Sequence, residues 1–165
     1  MIVADAGPII GFARIGRLDL LRQVVGELVI PDAVYEELVS SGRQRPGAAE
    51  VEGGEWIQSK TVTDQAAVAQ LPAALHAGER EAIVLAQELN AQLLIDEQRG
   101  RTIATVRRLE VVGALRVLAE AKQLGVIDRA RPLVNALLAA GYWIDEALLP
   151  PFFEEIGEGD PKESA

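Results

Sequence analysis

Two aspartates close short apolar runs: Asp5 follows Ile2-Val3-Ala4, and Asp96 follows Gln92-Leu93-Leu94-Ile95. In a parallel α/β sheet the carboxyl ends of the strands are where ligands bind, so an acid at that position is placed for chemistry. Two glutamates join them. Glu37 belongs to the helix after the Leu28–Pro31 strand, and Glu79 to the first turn of the helix opened by Ala77-Gly78. Each acid also has an ordinary duty: Asp5 as a helix cap, Glu79 as complement to a helix dipole, and Glu36 and Glu37 on a solvated face. It is the arrival of four separate acids at one predicted edge that points beyond those duties. Two carboxylates 4 Å apart repel by about 4 kcal/mol at an effective dielectric of 20, so in such a cluster either the pKa values rise or cations sit between the charges. With no cysteine and a single histidine, His76, the chain offers oxygen donors alone. That donor set selects hard ions, Mg²⁺ or Mn²⁺, and carboxylate-held ions of this kind suit hydrolysis of phosphate esters.

The elements that must position these acids are legible from periodicity. Ile2–Asp5, Leu28–Pro31, Trp56–Val62, Gln92–Asp96 and Val111–Gly113 read as strands. Between them lie helical patterns over 17–25, 32–40, 65–75, 77–90, 98–109 and 115–124, with Asp32 as the expected cap of the second and Gly26 and Gly125 as stops. Residues 41–54 read as an exposed loop with at most one helical turn. A terminal helical pair, 132–140 and 145–156, turns at Gly141. Short apolar strands alternating with helices predict an α/β fold with a small, mostly parallel sheet covered on both faces.

At 165 residues, 49% hydrophobic and 25% charged, the chain has the balance of one folded domain and not of a disordered segment. No apolar run approaches the roughly 20 residues of a membrane span, and the Met-Ile-Val-Ala-Asp start lacks the basic stretch of a signal peptide; a cytoplasmic protein with no membrane partner is expected. The net charge of −9 disfavours bulk attraction to nucleic acid. Any such contact must run through a focused basic patch, for which Arg99 and Arg101, just after Asp96, are the candidates, while Arg107 and Arg108 read as a solvated face. Trp56 and Trp143 read as core or interface residues, since aromatics are 4% of the chain and do not interleave with basic residues.

The stretches IVADAGPIIGFARIGRLDLLRQVVGELVIPDAVYEELV and LHAGEREAIVLAQELNAQLLIDEQRGRTIA, continued by VVGALRVLAEAKQLGVIDRARPLVNALLAAGYWI, resemble PIN-domain proteins, specifically a VapC-like branch. The resemblance covers nearly everything before the acidic C-terminus. It implies a PIN-like three-layer sandwich over residues 1–157 with a C-terminal helical pair, followed by a disordered acidic tail, 158–165. It further implies a Mg²⁺- or Mn²⁺-dependent ribonuclease acting on single-stranded RNA, of the kind that pairs as a toxin with an antitoxin protein. Carried over by motif, Asp5, Glu37, Glu79 and Asp96 are the metal-holding and catalytic acids, with Glu36 and Glu97 adjacent and able to substitute. The sequence departs from the pattern at Ala6-Gly7, where the family often carries Ser or Thr, and this favours the alternative of a catalytically silent PIN-like binding module. Leu137, Leu138, Leu148, Leu149, Phe152 and Phe153 in the terminal helices suggest a homodimer or a partner that covers the pocket, against the plainer reading that they close the core of a monomer.

Overall fold

The computed structural model describes residues 1–40 and 45–160, so part of the predicted 41–54 loop and the end of the predicted tail lie outside the described residues. Five parallel strands, β1 (Ile2–Ala4), β2 (Leu28–Pro31), β3 (Ile57–Lys60), β4 (Gln92–Leu94) and β5 (Val111–Val112), form one sheet in the order β3-β2-β1-β4-β5. The chain moves from β1 outward to β2 and β3, then returns to the other side of β1 for β4. The point of reversal is therefore the crevice between β1 and β4. Register places Ala4 beside Leu94, and the amide of Asp5 donates to the Leu94 carbonyl at 3.0 Å.

Alternation along each strand divides the core into two layers. Ala4, Leu28, Ile30, Leu94 and Val112 face one layer, which α1 (Ala6–Arg14), α2 (Leu18–Val25), α8 (Ala114–Gln123) and α9 (Arg131–Ala139) close. Val3, Leu93 and Ile95 face the other, built with α5 (Gln65–Gln70), α6 (Ala77–Leu89) and α7 (Gln98–Val106). This is the expected three-layer α/β sandwich. α6 carries an unbroken buried run, Ala82 to Ala86, because one side of the helix meets the sheet while another receives α3 and α5. The helix predicted from Asp32 is two-part: α3 (Asp32–Tyr35) passes into a π-helical turn, Glu36–Ser40, and the cap position is Pro31, with Asp32 inside the first turn. A short α4 (Ala48–Gly53) occupies the one turn anticipated beyond residue 45.

The terminal pair is α9 followed by a 3₁₀ turn (Glu146–Leu148) and α10 (Leu149–Glu155). Most of its apolar side chains are spent inside the molecule. Leu137 and Phe153 are buried, Leu138, Leu149 and Phe152 pack on the same core, and Leu148 is left exposed. Glu158, placed by sequence at the head of the tail, is tied into the fold. Its side chain, 5% exposed, accepts from the amides of Ala130 (2.8 Å) and Arg131 (3.0 Å) at the start of α9 and from Lys122 Nζ at 3.1 Å. Burial by itself would raise its pKa, but those amides and the Lys122 ammonium outweigh it and hold the carboxyl below its ordinary value. The stability it contributes is thus present above the unfolded carboxylate pKa and lost as pH falls through the lowered one. Glu158→Ala is expected to cost about 2–3 kcal/mol at pH 7, read as a lower denaturation midpoint, because it strands two amides and a half-buried ammonium.

Candidate functional site

Asp5 occupies the first position beyond β1, at the crevice where strand order reverses. It sits at the cap position of α1 by backbone geometry, yet its side chain closes no capping bond. It is 7% exposed. Burial, then the fields of Glu79 and Glu37, push its pKa up to about 7, against which the amides of Ala6 and Gly7 act only in part. No basic side chain forms an ion pair with it among the described residues.

Glu37 and Glu79 approach from the side of α6. Gly78 lies where Glu37 and Asp5 meet: a Cβ there would be a tight 3.2 Å from Val34 Cγ2 and in ordinary contact with Glu37 Oε2 (3.4 Å) and Asp5 Oδ1 (3.6 Å). α3, which leads into the π turn that carries Glu37, is docked on α6 through Glu81, which accepts from the Ala33 amide at 2.7 Å. Glu79 accepts from the His76 amide at 3.0 Å, closing the first turn of α6. It therefore does perform the capping duty of a third-position glutamate. At 6% exposure, burial first, and then the fields of Glu97 and Glu37, still raise its pKa above the ordinary value. Beyond that amide, His76 borders a neighbouring hollow with Glu36, Glu37 and Arg45.

Asp96 lines the same cavity as Asp5, a cleft of about 480 Å³, but is held differently. Its oxygens take the Ala114 amide at 2.9 Å, the Tyr142 hydroxyl, and Arg101 Nη1 at 3.4 Å. Burial raises its pKa, and the tyrosine, the amide and the guanidinium pull it back down. Glu97 borders the cavity too while capping α7 through the amides of Arg99 (3.1 Å) and Gly100 (2.6 Å). Glu36 stays with Glu37 in the neighbouring hollow.

Asp5, Glu37 and Glu79 are brought together around the start of α6, then, and Asp5, Asp96 and Glu97 around the cleft. Among the described residues no three acids or imidazoles close on one point as a cage would. A cation held here would take one or two carboxylates and keep several of its own waters. The donors are all oxygens, and the over-charged, buried Asp5 is the group a cation would relieve.

Two basic candidates separate. Arg101 reaches Asp96, whereas Arg99 lies over α7 beside Pro72, Leu75 and Ile103, away from the cleft. Three residues that sequence reasoning did not single out border the cleft: Arg14, Arg45 and Tyr142. Arg14 had a signal, since Gly7, Gly11 and Arg14 recur at helical spacing on one face of α1. Tyr142 had none. It reaches Asp96 only because Gly11, 131 positions earlier, leaves space: a Cβ there would lie 2.5 Å from the Tyr142 ring. Burial, followed by the fields of Asp96 and Asp5, raises the Tyr142 pKa well above its ordinary value, so the phenol stays a donor.

The comparisons with known proteins agree with this architecture. A family profile described as a PIN domain matches residues 1–158. Among solved structures, a PilT N-terminus domain protein from the hyperthermophilic archaeon Sulfolobus solfataricus is similar at a TM-score of 0.56 and 18% identity, over 73% of this chain and 92% of that one. At that identity the likeness concerns the fold. No curated protein matches the sequence.

Proposed function

The chain belongs to the PIN-domain family, whose members are generally nucleases, and from that premise we propose that it is a Mg²⁺- or Mn²⁺-dependent endoribonuclease acting on single-stranded RNA. The observation that carries the proposal is Asp5: a buried carboxylate at the sheet's switch point, facing Glu79 and Glu37, with its pKa lifted to about 7. Buried carboxylates set beside like charges in a cleft concentrate at functional sites, which is the support Asp5 gives to this reading.

In this reading Asp5 is the principal anionic anchor for the cation, with Asp96 and Glu97 on one side and Glu79 and Glu37 on the other. A bound ion supplies Lewis-acid polarisation of a phosphoryl oxygen and a water of lowered pKa. The chain's own groups do the rest. Tyr142 and the Ala114 amide fix the orientation of Asp96, so one acid is held rigid while Asp5 remains open to the cleft. Arg101, and Arg14 and Arg45 at the opposite wall, are placed to hold phosphate oxygens. The seat that a Ser or Thr hydroxyl fills in many relatives is here Ala6-Gly7, so substrate orientation falls to these arginines.

In the cell we place the protein in the cytoplasm as the toxin of a toxin–antitoxin pair, of the VapC-like kind. The support for this is the resemblance of the sequence to VapC-like members of the family. No helix among the described residues is long and apolar enough to cross a membrane. The second reading, a silent PIN-like binding module, draws on Ala6-Gly7 and on the absence of a three-acid cage among the described residues. Incubating the purified chain with labelled single-stranded RNA separates the two. Cleavage that requires Mg²⁺ or Mn²⁺ and stops in excess chelator supports the nuclease. No cleavage and no cation-dependent rise in thermal stability leaves the binding module.

A further inference from the structure

Trp143 is 52% exposed, whereas the other tryptophan, Trp56, is buried in the core at 7%. The Trp143 indole thus keeps one face in water at the mouth of the cleft, an amphipathic surface able to stack on a planar group. Trp143 stands between two concavities. One is the Asp5 cleft; the other, about 590 Å³, is bordered by Arg101, Thr105, Leu115 and Ile144. Asp96 and Gln98 border both as well, so the two are halves of one groove that passes the acidic site with the indole near its midpoint.

The groove is charge-balanced where the chain as a whole is acidic, with four arginines set against Asp5, Asp96, Glu97 and Asp145. In a chain of net −9, Arg14 and Arg45 stand on the Asp5 half and Arg101 and Arg116 on the other half. Arg116 is engaged by Glu110 and Glu120, and Arg101 by Asp96, which leaves Arg14 and Arg45 as the stronger local source of positive potential. Arginines spaced along a groove on both sides of an exposed aromatic face can serve a single strand, the guanidinium groups meeting the backbone and the ring stacking on a base. Beside the indole the Arg101 half of the groove also exposes Val106 and Leu148, together with the polar Gln98, Thr102 and Thr105.

We propose that Trp143 is the stacking platform for a nucleobase of a single-stranded substrate, next to the phosphate held at Asp5, with Arg14 and Arg45 contacting the backbone on the Asp5 side and Arg101 on the other. This rests on the nuclease reading of the same site. Duplex is excluded by it, because a paired base cannot present its face to the ring.

The test follows tryptophan emission of Asp5→Asn protein in Mg²⁺, a background in which the strand is not cut, during titration with an adenylate hexanucleotide. Saturable quenching is expected, with none from a hexamer of the same charge that lacks bases. Trp143→Ala should weaken binding, followed by a label on the strand, by roughly 10-fold, within the range of one lost stack, while Trp143→Phe should stay within about 3-fold. Equal binding by Trp143→Ala, equal quenching by the base-free strand, or an emission change that tracks protein concentration without any strand overturns the proposal; the last would assign the surface to a second copy. Cleavage by the unmodified chain is scored separately. Cutting without stacking leaves the nuclease reading standing, and stacking without cutting leaves the platform standing.

Discussion

Asp5→Asn is expected to lower divalent-dependent cleavage of single-stranded RNA by roughly 10³-fold or more, the scale on which a group essential to a catalytic unit fails. The same substitution should raise the stability of the metal-free protein. With a pKa of about 7 in the fold against about 3.9 in the unfolded chain, Asp5 holds its proton more tightly when folded. Folding therefore gains from protonation below about pH 4, and this gain is lost as pH rises to about 7, beyond which the ionised carboxylate is a fixed cost. Asparagine keeps the shape and removes the charge. Denaturation of the metal-free proteins at pH 8 should show the variant more stable by about 1–3 kcal/mol, and its stability should depend less on pH between 4 and 7. Added Mg²⁺ should stabilise the parent and not the variant. A variant that cuts RNA as well as the parent would remove Asp5 from the site.

The second large effect should come from a residue that carries no chemistry. At Gly113 a Cβ would fall 2.5 Å from Asp96 Oδ1 and 2.6 Å from Arg101 Nη1. Both are ends of flexible side chains, so Gly113→Ala is expected to displace them and leave the sheet intact. Asp96 would then lose its alignment with the Ala114 amide and the Tyr142 hydroxyl. A misplacement of about 1 Å in a catalytic constellation costs on the order of 10²-fold, and cleavage should fall by that much. Stability should fall by no more than about 2 kcal/mol, from loosened bonds at the start of α8. Steady-state cleavage and a denaturant melt on one preparation check both halves. Full activity in Gly113→Ala would show that the position of Asp96 is immaterial.

The sheet was legible because four strands are short apolar runs, because Trp56–Val62 alternates around β3, and because Gly26 and Gly125 stop their helices where expected. Asp5 and Asp96 were readable as neighbours once both were seen to end strands, since the reversal of strand order brings the two ends side by side. The division of α3 into an α turn and a π turn was not readable, because the pattern of Val34 and Leu38 is satisfied by either geometry. The role of Glu158 was hidden by composition: the acidic run around it reads as solvated, and only the amides of Ala130 and Arg131 make it structural. Arg99 and Arg101 look equivalent by their nearness to Asp96. They stand in different parts of the first turns of α7, and only Arg101 can turn back to the carboxylate. Tyr142 depends on the open face of Gly11, a contact between distant segments that no local spacing reports.

The central claim is that the buried charge of Asp5 exists to hold a divalent cation. Diffraction from crystals equilibrated with Mn²⁺, recorded where manganese scatters anomalously, tests it most directly. An anomalous peak bonded to a carboxylate oxygen of Asp5, within about 2.0–2.3 Å, with Asp96, Glu97, Glu37 or Glu79 or their bridging waters completing the coordination and no peak in Asp5→Asn crystals, is the result predicted here. A cleft without anomalous density beside Asp5 in crystals that bind manganese elsewhere would contradict it.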